Sequence, residues 1–236
     1  MINGLYSGAA AMQTLEKHQE MISSNLMHAN SSGHRRLQPA VRQRFDQTSP
    51  NTTIDLGPEV EIAATDFSPG RNTPTGRPLD VAIEGDGFFI LDNGDQELLT
   101  RNGRLFRHPD SNELVSEDGF PIQGESGAIT IDQDVSDQEI TIASDGTVSA
   151  RNQEIGKIRT VAYEYNRSLI PVGSLAFTAG PNSVESDAPV RVTQFSHELS
   201  NVQPVTELIA LIVNTRHHEA VEKATRTLAE SLKEYI

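Results

Sequence analysis

The two ends of this chain repeat their apolar residues at helical spacing, and the long middle does not. From Ile2 to about Asn30 they fall at Ile2, Leu5, Ala9, Met12, Leu15, Ile22, Leu26 and Ala29. Spacings of three, four and seven line one narrow face of a helix. Asn30-Ser31-Ser32-Gly33 stops it, with Gly33 suited to a left-handed terminal turn. A second stripe follows Pro204, which fits a first helical turn: Val205, Leu208, Ile209, Ile212, Ala220, Ala224, Leu228, Leu232 and Tyr235. Roughly 31 residues at about 1.5 Å each make a rod near 46 Å. Neither helix is apolar all round, so neither is expected to be the buried centre of a globule.

The middle consists of short strand-like runs. They are Val81-Ala82-Ile83, Gly87 to Leu91, Gln96 to Thr100, Ala128 to Ile131, Gln138 to Ile142, Thr147 to Ala150, Ile158 to Tyr163 and Pro189 to Val192. Between several of them sit Asp86-Gly87, Asn93-Gly94, Asn102-Gly103, Asp118-Gly119 and Asp145-Gly146. Such pairs allow the positive φ that tight hairpin turns require. Residues 34–79 are rich in Pro, Thr, Arg and Asn and read as an extended linker with one hairpin near Ile54 to Ala63.

The expected fold is therefore α+β. Long N- and C-terminal amphipathic helices form a coiled-coil core domain, with an inserted all-β domain of short antiparallel strands. The expected divisions are 1–33, an assembly helix; 34–79, the linker or hairpin; 80–192, the β domain; and 199–236, a second assembly helix. Gly70, Gly76, Pro78, Asp80, Gly85, Gly87, Phe88 and Phe89 mark the linker-to-domain junction. Its Gly and Pro residues break regular structure and suit a stiff, angled joint. The assembly seam is read as Ile2, Leu5, Ala9, Met12, Leu15, Ile22, Leu26, Val205, Leu208, Ile209, Ile212, Ala220, Ala224, Leu228 and Leu232.

Charge narrows the partners. The chain carries -14 overall. Residues 1–45 are at +3 and 197–236 at -2, which leaves -15 in the middle. Such a chain is a poor partner for nucleic acid. No apolar run reaches the roughly 18 residues of a membrane span, and the first residues show no cleavable signal peptide. With no Cys, thiolate chemistry and disulfides are excluded.

Motifs for chemistry fail on spacing. His217-His218 are adjacent, about 100° apart on a helix, and cannot share one ion as i and i+4 residues do. The acidic stretches 92–97 and 132–139 do not place a Gly sixth and a bidentate Glu twelfth, as a calcium loop needs. Gly124-Glu125-Ser126-Gly127 is not a nucleophile elbow, and no phosphate-binding Gly-rich loop exists. Asp80 and Asp86 read as a strand-start acid and a turn acid, not a catalytic pair. No cofactor or metal is expected. Arg35, Arg36, Arg42 and Arg44 form a basic cluster expected to face the acidic middles of neighbouring copies.

Several segments carry a family likeness. Ile2-Asn3-Gly4-Leu5-Tyr6-Ser7-Gly8-Ala9, then Ser24-Asn25-Leu26 through Asn30-Ser31-Ser32-Gly33, resembles the N-terminal signature of flagellar rod and hook proteins. Phe67-Ser68-Pro69-Gly70 and the run Thr75 to Phe89 resemble that family's linker-to-domain junction. Thr100-Arg101-Asn102-Gly103, Leu114-Val115, Asp118 to Ile122, Leu199-Ser200-Asn201-Val202 and Glu207-Leu208 match further segments. The departures are Met27-His28 in place of Ala-Asn, His34-Arg35 in place of an aromatic and Lys, and His217-His218 where one aromatic is usual. These are expected on surface or seam positions.

The resemblance implies a non-enzymatic subunit of the bacterial flagellar basal-body rod, with a length that suits proximal or distal rod proteins better than the hook. It implies a helical polymer with copies of itself that transmits torque, and contacts with neighbouring rod and hook proteins, the export apparatus and surrounding rings. Neither nucleic acid nor membrane insertion is implied. The place implied is the basal body, in the periplasmic or cell-wall region. The alternative is a carbohydrate-binding or enzymatic β domain dimerised by its helices.

Overall fold

A computed structural model of the protein describes residues 2–49 and 52–234, and the side chains of residues 4–40 and 64–231. The chain divides into two compact units. The first takes residues 1–29, 36–66 and 202–236; the second takes 30–35 and 67–201.

The first unit holds helix α1, Ile2–Met27, a hairpin of β1, Leu37–Ser49, and β2, Thr52–Thr65, and helix α2, Pro204–Glu234. The hairpin is antiparallel with three register shifts. Helix α1 packs on both β2 and α2. The helices run antiparallel: Gly4 meets Leu228, Gly8 meets Thr225, and Asn214 Nδ2 donates to Leu15 O at 3.0 Å. Glycine permits this approach, because a Cβ built at Gly8 would stand 2.5 Å from Thr225 Oγ1.

The second unit is a β body. Chain order gives β3, Asn72–Pro74; β4, Val81–Glu84; β5, Phe88–Asp92; and β6, Glu97–Thr100. Four two-residue strands follow: β7, Phe106–Arg107; β8, Leu114–Val115; β9, Gln123–Gly124; and β10, Gly127–Ala128. Then come β11, Ile140–Ile142; β12, Thr147–Ala150; β13, Gln153–Lys157; and β14, Thr160–Tyr163. The last are β15, Leu169–Val172; β16, Ala176–Ala179; β17, Glu185–Ser186; β18, Arg191–Gln194; and β19, Ser196–Glu198.

Its largest sheet is six-stranded and antiparallel, in the order β15-β16-β6-β5-β14-β17. The continuous apolar run of β5 is its signature. Alternate side chains of a strand point to opposite faces, so a central strand covered on both sides is apolar throughout. Phe88 and Ile90 join one core with Leu99, Val161, Tyr163, Leu169 and Phe177. Phe89 and Leu91 join a larger one with Leu79, Val81, Leu105, Leu114, Ile122 and others.

The expected coiled-coil core domain with an inserted β domain is not what forms. Among the described residues the chain has only two α-helices, and the other regular structure in both units is mainly β. Two physical reasons account for the error. The segment after α1 pairs with itself as a long hairpin and supplies a surface for α1. And along the first half of α2 the face turned to α1 is not its apolar stripe: Glu207 and Asn214 are buried there, while Val205, Leu208, Ile209 and Ile212 are exposed.

Turn chemistry was legible, with one exception. Gly87, Gly94, Gly119 and Gly146 adopt positive φ as the Asp-Gly and Asn-Gly pairs require. Gly103 does not. It lies against the backbone of Val81, whose carbonyl O would collide with any Cβ there, and its own carbonyl accepts from Val81 N at 2.9 Å. That glycine serves close packing rather than a turn.

Candidate functional site: two buried polar nodes and an exposed helix face

Each unit has a buried polar node, and each node draws on residues in or beside the segments quoted for the family likeness. In the β body the centre is Glu198, at the end of β19. Its Oε1 lies 2.8 Å from Arg35 Nη1 and accepts from Gly70 N at 2.6 Å. Its Oε2 accepts from Arg101 Nη1 at 3.3 Å. Its backbone O accepts from Gly33 N at 2.9 Å. All three charged side chains are at most 2% exposed. Arg35 also donates to Ser68 O at 2.9 Å, and Arg101 Nη2 to Gly85 O at 2.7 Å. Arg101 lies 5.3 Å over the Phe88 ring. Burial lowers the Arg101 pKa to about 10, with Glu198 opposing that shift and Arg35 adding to it.

These bonds gather residues 33–35, 68–70 and 101 around Glu198, whose carboxylate holds Arg35, Gly70 and Arg101 and whose backbone carbonyl holds Gly33. Asn201 Nδ2 donates to Ser68 O at 2.9 Å, and Leu199 N to Arg71 O at 3.0 Å. The chain's passages into and out of the β body are thus hydrogen-bonded to one another.

In the helix unit the node is Asn25, Arg36 and Glu207. Leu37 N donates to Asn25 Oδ1 at 2.8 Å, and Asn25 Nδ2 donates to Leu37 O at 2.9 Å, so the amide acts as a short strand partner. Asn25 Nδ2 also reaches Glu207 Oε2 at 3.3 Å, and Arg36 Nε donates to Glu207 Oε1 at 2.5 Å. Asn25 and Glu207 are both buried.

The residues read as a seam divide into two groups. Ile22 is buried, and Leu5, Met12, Leu15, Leu26 and Leu228 are half-buried within the helix unit. Ala9, Ala220 and Ala224 are exposed. Val205, Leu208, Ile209 and Ile212 are 71%, 50%, 58% and 56% exposed, and Val213 joins them. They form a continuous apolar face on the first half of α2. Ile2 and Leu232 lie outside the residues whose side chains are described, as do Arg42 and Arg44; Tyr235 lies outside the described residues.

Among the junction residues, Asp80, Gly87, Phe88 and Phe89 are buried, Gly70 and Pro78 are half-buried, and Gly76 and Gly85 are exposed with positive φ. Asp80 Oδ1 pairs with Arg77 Nη1 at 3.0 Å.

Two expectations change, and four residues were missed. Arg35 and Arg36 do not wait for a neighbouring copy, because each is already paired inside its own unit. His34 is not a surface or seam residue: it is buried, with its Nδ1 2.9 Å from Ser174 O. Glu198, Arg101, Asn25 and Glu207 were not read as site residues at all. Arg101, Asn25 and Glu207 stand in the motif segments, Glu198 stands one residue before one, and nothing in spacing pairs Glu198 with residues 35 and 101.

No group of three or more His, Asp or Glu side chains that could hold a metal ion occurs among the described residues. No described helix is long and apolar enough to cross a membrane.

Residues 82–150 match the family model described as "Flagellar hook protein FlgE/F/G D1 domain". The chain is 31% identical over 237 residues to "Flagellar basal-body rod protein FlgF" of Caulobacter vibrioides, covering 98% of this chain and 95% of that one. It is 31% identical over 251 residues to the FlgF rod protein of Salmonella typhimurium, covering 98% and 96%. It is 27% identical over 262 residues to "Flagellar basal-body rod protein FlgG" of Bacillus subtilis, covering 100% and 98%. The chain belongs to the flagellar basal-body rod protein family, a family of structural proteins and not of enzymes.

Proposed function

We propose that this chain is a subunit of the basal-body rod that polymerises through its terminal helices into a helical tube that transmits torque. Copies of the chain and neighbouring rod and hook proteins are its partners. The export apparatus delivers it to the periplasmic or cell-wall region, where the surrounding rings enclose it. The family supports the rod role. One observation supports the mode of assembly: the exposed apolar face Val205, Leu208, Ile209, Ile212 and Val213 on α2. Each such side chain contributes about 1.5–3 kcal/mol when fully buried, so covering the face gives a strong drive to associate.

The test is Ile209→Asp, which places a charge on that face without touching either node. We expect unchanged thermal unfolding of the purified monomer, loss of polymer in sedimentation velocity, and loss of motility in a strain carrying the variant. Polymer and motility at parental levels would overturn this reading of the face.

A further inference from the structure

Three Asn-Gly pairs stand in the chain, at 3–4, 93–94 and 102–103. An Asn side chain before Gly can close on the backbone nitrogen that follows it, because no Cβ on the next residue crowds the ring. The three pairs differ in their surroundings. Asn3-Gly4 lies within α1, where the helix fixes the backbone dihedrals that closure must change. Asn102 is buried, its Oδ1 accepts from Arg104 N at 3.1 Å, and its Nδ2 donates to Glu117 Oε2 at 3.3 Å. Asn93-Gly94 stands at the tip of the β5–β6 hairpin, with Asp92, Gly94, Asp95 and Gln96 all exposed.

The groups around Asn93 meet the demands of that ring closure. Gly94 N, the nucleophile, donates to Asp92 Oδ1 at 2.8 Å, so a carboxylate already bonds the proton that must leave. Gln123 Nε2 donates to Asp92 Oδ2 at 2.9 Å and holds that carboxylate in place. Asn93 Oδ1, where negative charge develops, accepts from Asp95 N at 3.0 Å and from Gln96 N at 2.8 Å, the spacing of an oxyanion site. Gly94 has a φ of 88°, with open space where a Cβ would stand.

We propose that Asn93 is a self-modification site, deamidated by its own hairpin. Gly94 N bonds to Asn93 Cγ as its proton passes to Asp92. The Cγ–Nδ2 bond breaks, Nδ2 takes that proton and leaves as ammonia, and a cyclic imide remains. Water then adds across one of the two imide C–N bonds and gives Asp or a β-linked isoaspartate at position 93. Either product adds a carboxylate between Asp92 and Asp95, and the β-linked one puts an extra methylene into the backbone between β5 and β6. The hairpin thus carries a chemical record of the chain's age.

Peptide mapping by mass spectrometry of the full chain, aged in neutral buffer, tests this. In the folded chain Asn93 should convert to acid at least about tenfold faster than Asn102, since a buried pair reacts only when it opens. In urea the two should convert within about twofold of each other, with Asn93 no faster there than in the folded chain. Asp92→Ala should slow Asn93 at least about fivefold, and Gln123→Ala should slow it less. The rate at Asn93 should also climb more steeply with pH in Asp92→Ala than in the parent, because hydroxide alone then takes the proton. The comparison with urea uses the parent chain and stands even where a variant fails to fold. Equal rates at Asn93 and Asn102 in the folded chain, a faster rate at Asn93 in urea, or an unchanged rate and pH profile in Asp92→Ala would overturn the proposal.

Discussion

Arg35 and Arg36 are adjacent in the chain, yet Arg35 pairs with Glu198 in the β body and Arg36 with Glu207 in the helix unit. Where the chain passes from one unit to the other, successive arginines are spent on different glutamates. An arginine's rigid planar fork suits such buried carboxylate contacts, and lysine would not replace it equally.

Removing either partner of the first pair should have unequal effects. Glu198→Gln leaves two buried guanidinium groups and is expected to cost about 3–5 kcal/mol. Arg35→Met leaves Glu198 matched by Arg101 and should cost less than about 3 kcal/mol. Urea unfolding of the two variants measures this. An equal or reversed order would show that charge balance does not govern the site.

Two glycine substitutions separate rigid from yielding neighbours. Gly103→Ala drives a methyl into the Val81 backbone and should cost about 1–3 kcal/mol or more. Gly8→Ala meets only the Thr225 side chain, whose hydroxyl must shift and give up its bond to Val221 O, and it gains up to about 1 kcal/mol of helix propensity in return. Its net effect should be small. Thermal unfolding ranks the pair, and a Gly8→Ala loss as large as that of Gly103→Ala would count against a Thr225 side chain that yields.

Leu5 and Ile209 are expected to behave differently when changed to Asp. Leu5 is half-buried in the helix unit, so Leu5→Asp should lower monomer stability as well as assembly. Ile209→Asp should affect assembly alone. Circular dichroism melts of the monomers, beside sedimentation, distinguish the two.

Assembly should strengthen with salt. Residues 46–196 carry -15, and the proposed tube would bring these segments of neighbouring copies together. Repulsion reaches about 10 Å at 0.1 M salt and about 30 Å at 0.01 M. Apolar contact is not weakened by salt. Light scattering across that range should rise, and polymer that dissolves as salt increases would favour an ion-paired interface instead.

Acid should destabilise the β body through a small exposed network. Hydrogen bonds from Arg151 hold the Asp134 and Glu139 carboxyls below their ordinary values of 3.8 and 4.5. A carboxylate whose folded pKa is depressed gives stability that is complete above its unfolded value and lost as pH falls through its folded one. The loss attributable to this network therefore begins near pH 4.5 and deepens below 3.8. Arg151→Ala should make unfolding less steeply pH-dependent there. Thermal melts down to about pH 2.5 check this, and identical slopes would refute it.

The sequence by itself determined what is local. Helical spacing placed both helices, because a helix needs only its own backbone hydrogen bonds and an apolar face. Phe88 to Leu91 read as a strand because four successive apolar residues bounded by turn signals suit little else that is so short. Asp-Gly and Asn-Gly placed four turns, since positive φ is a property of the residue. The motif segments pointed to the family before any geometry was known.

Tertiary structure decided which faces meet. Helical spacing gives an apolar stripe but not its partner, so Ile209 and Leu5 looked alike, and only packing left one exposed and the other half-buried. The long hairpin escaped notice as a partner for α1 because pairing 37–49 with 52–65 depends on register, not on composition. Glu198 was invisible for the same reason. A buried ion pair exists only when folding brings residues 35, 101 and 198 into one site, and removal from water there makes their pairing obligatory.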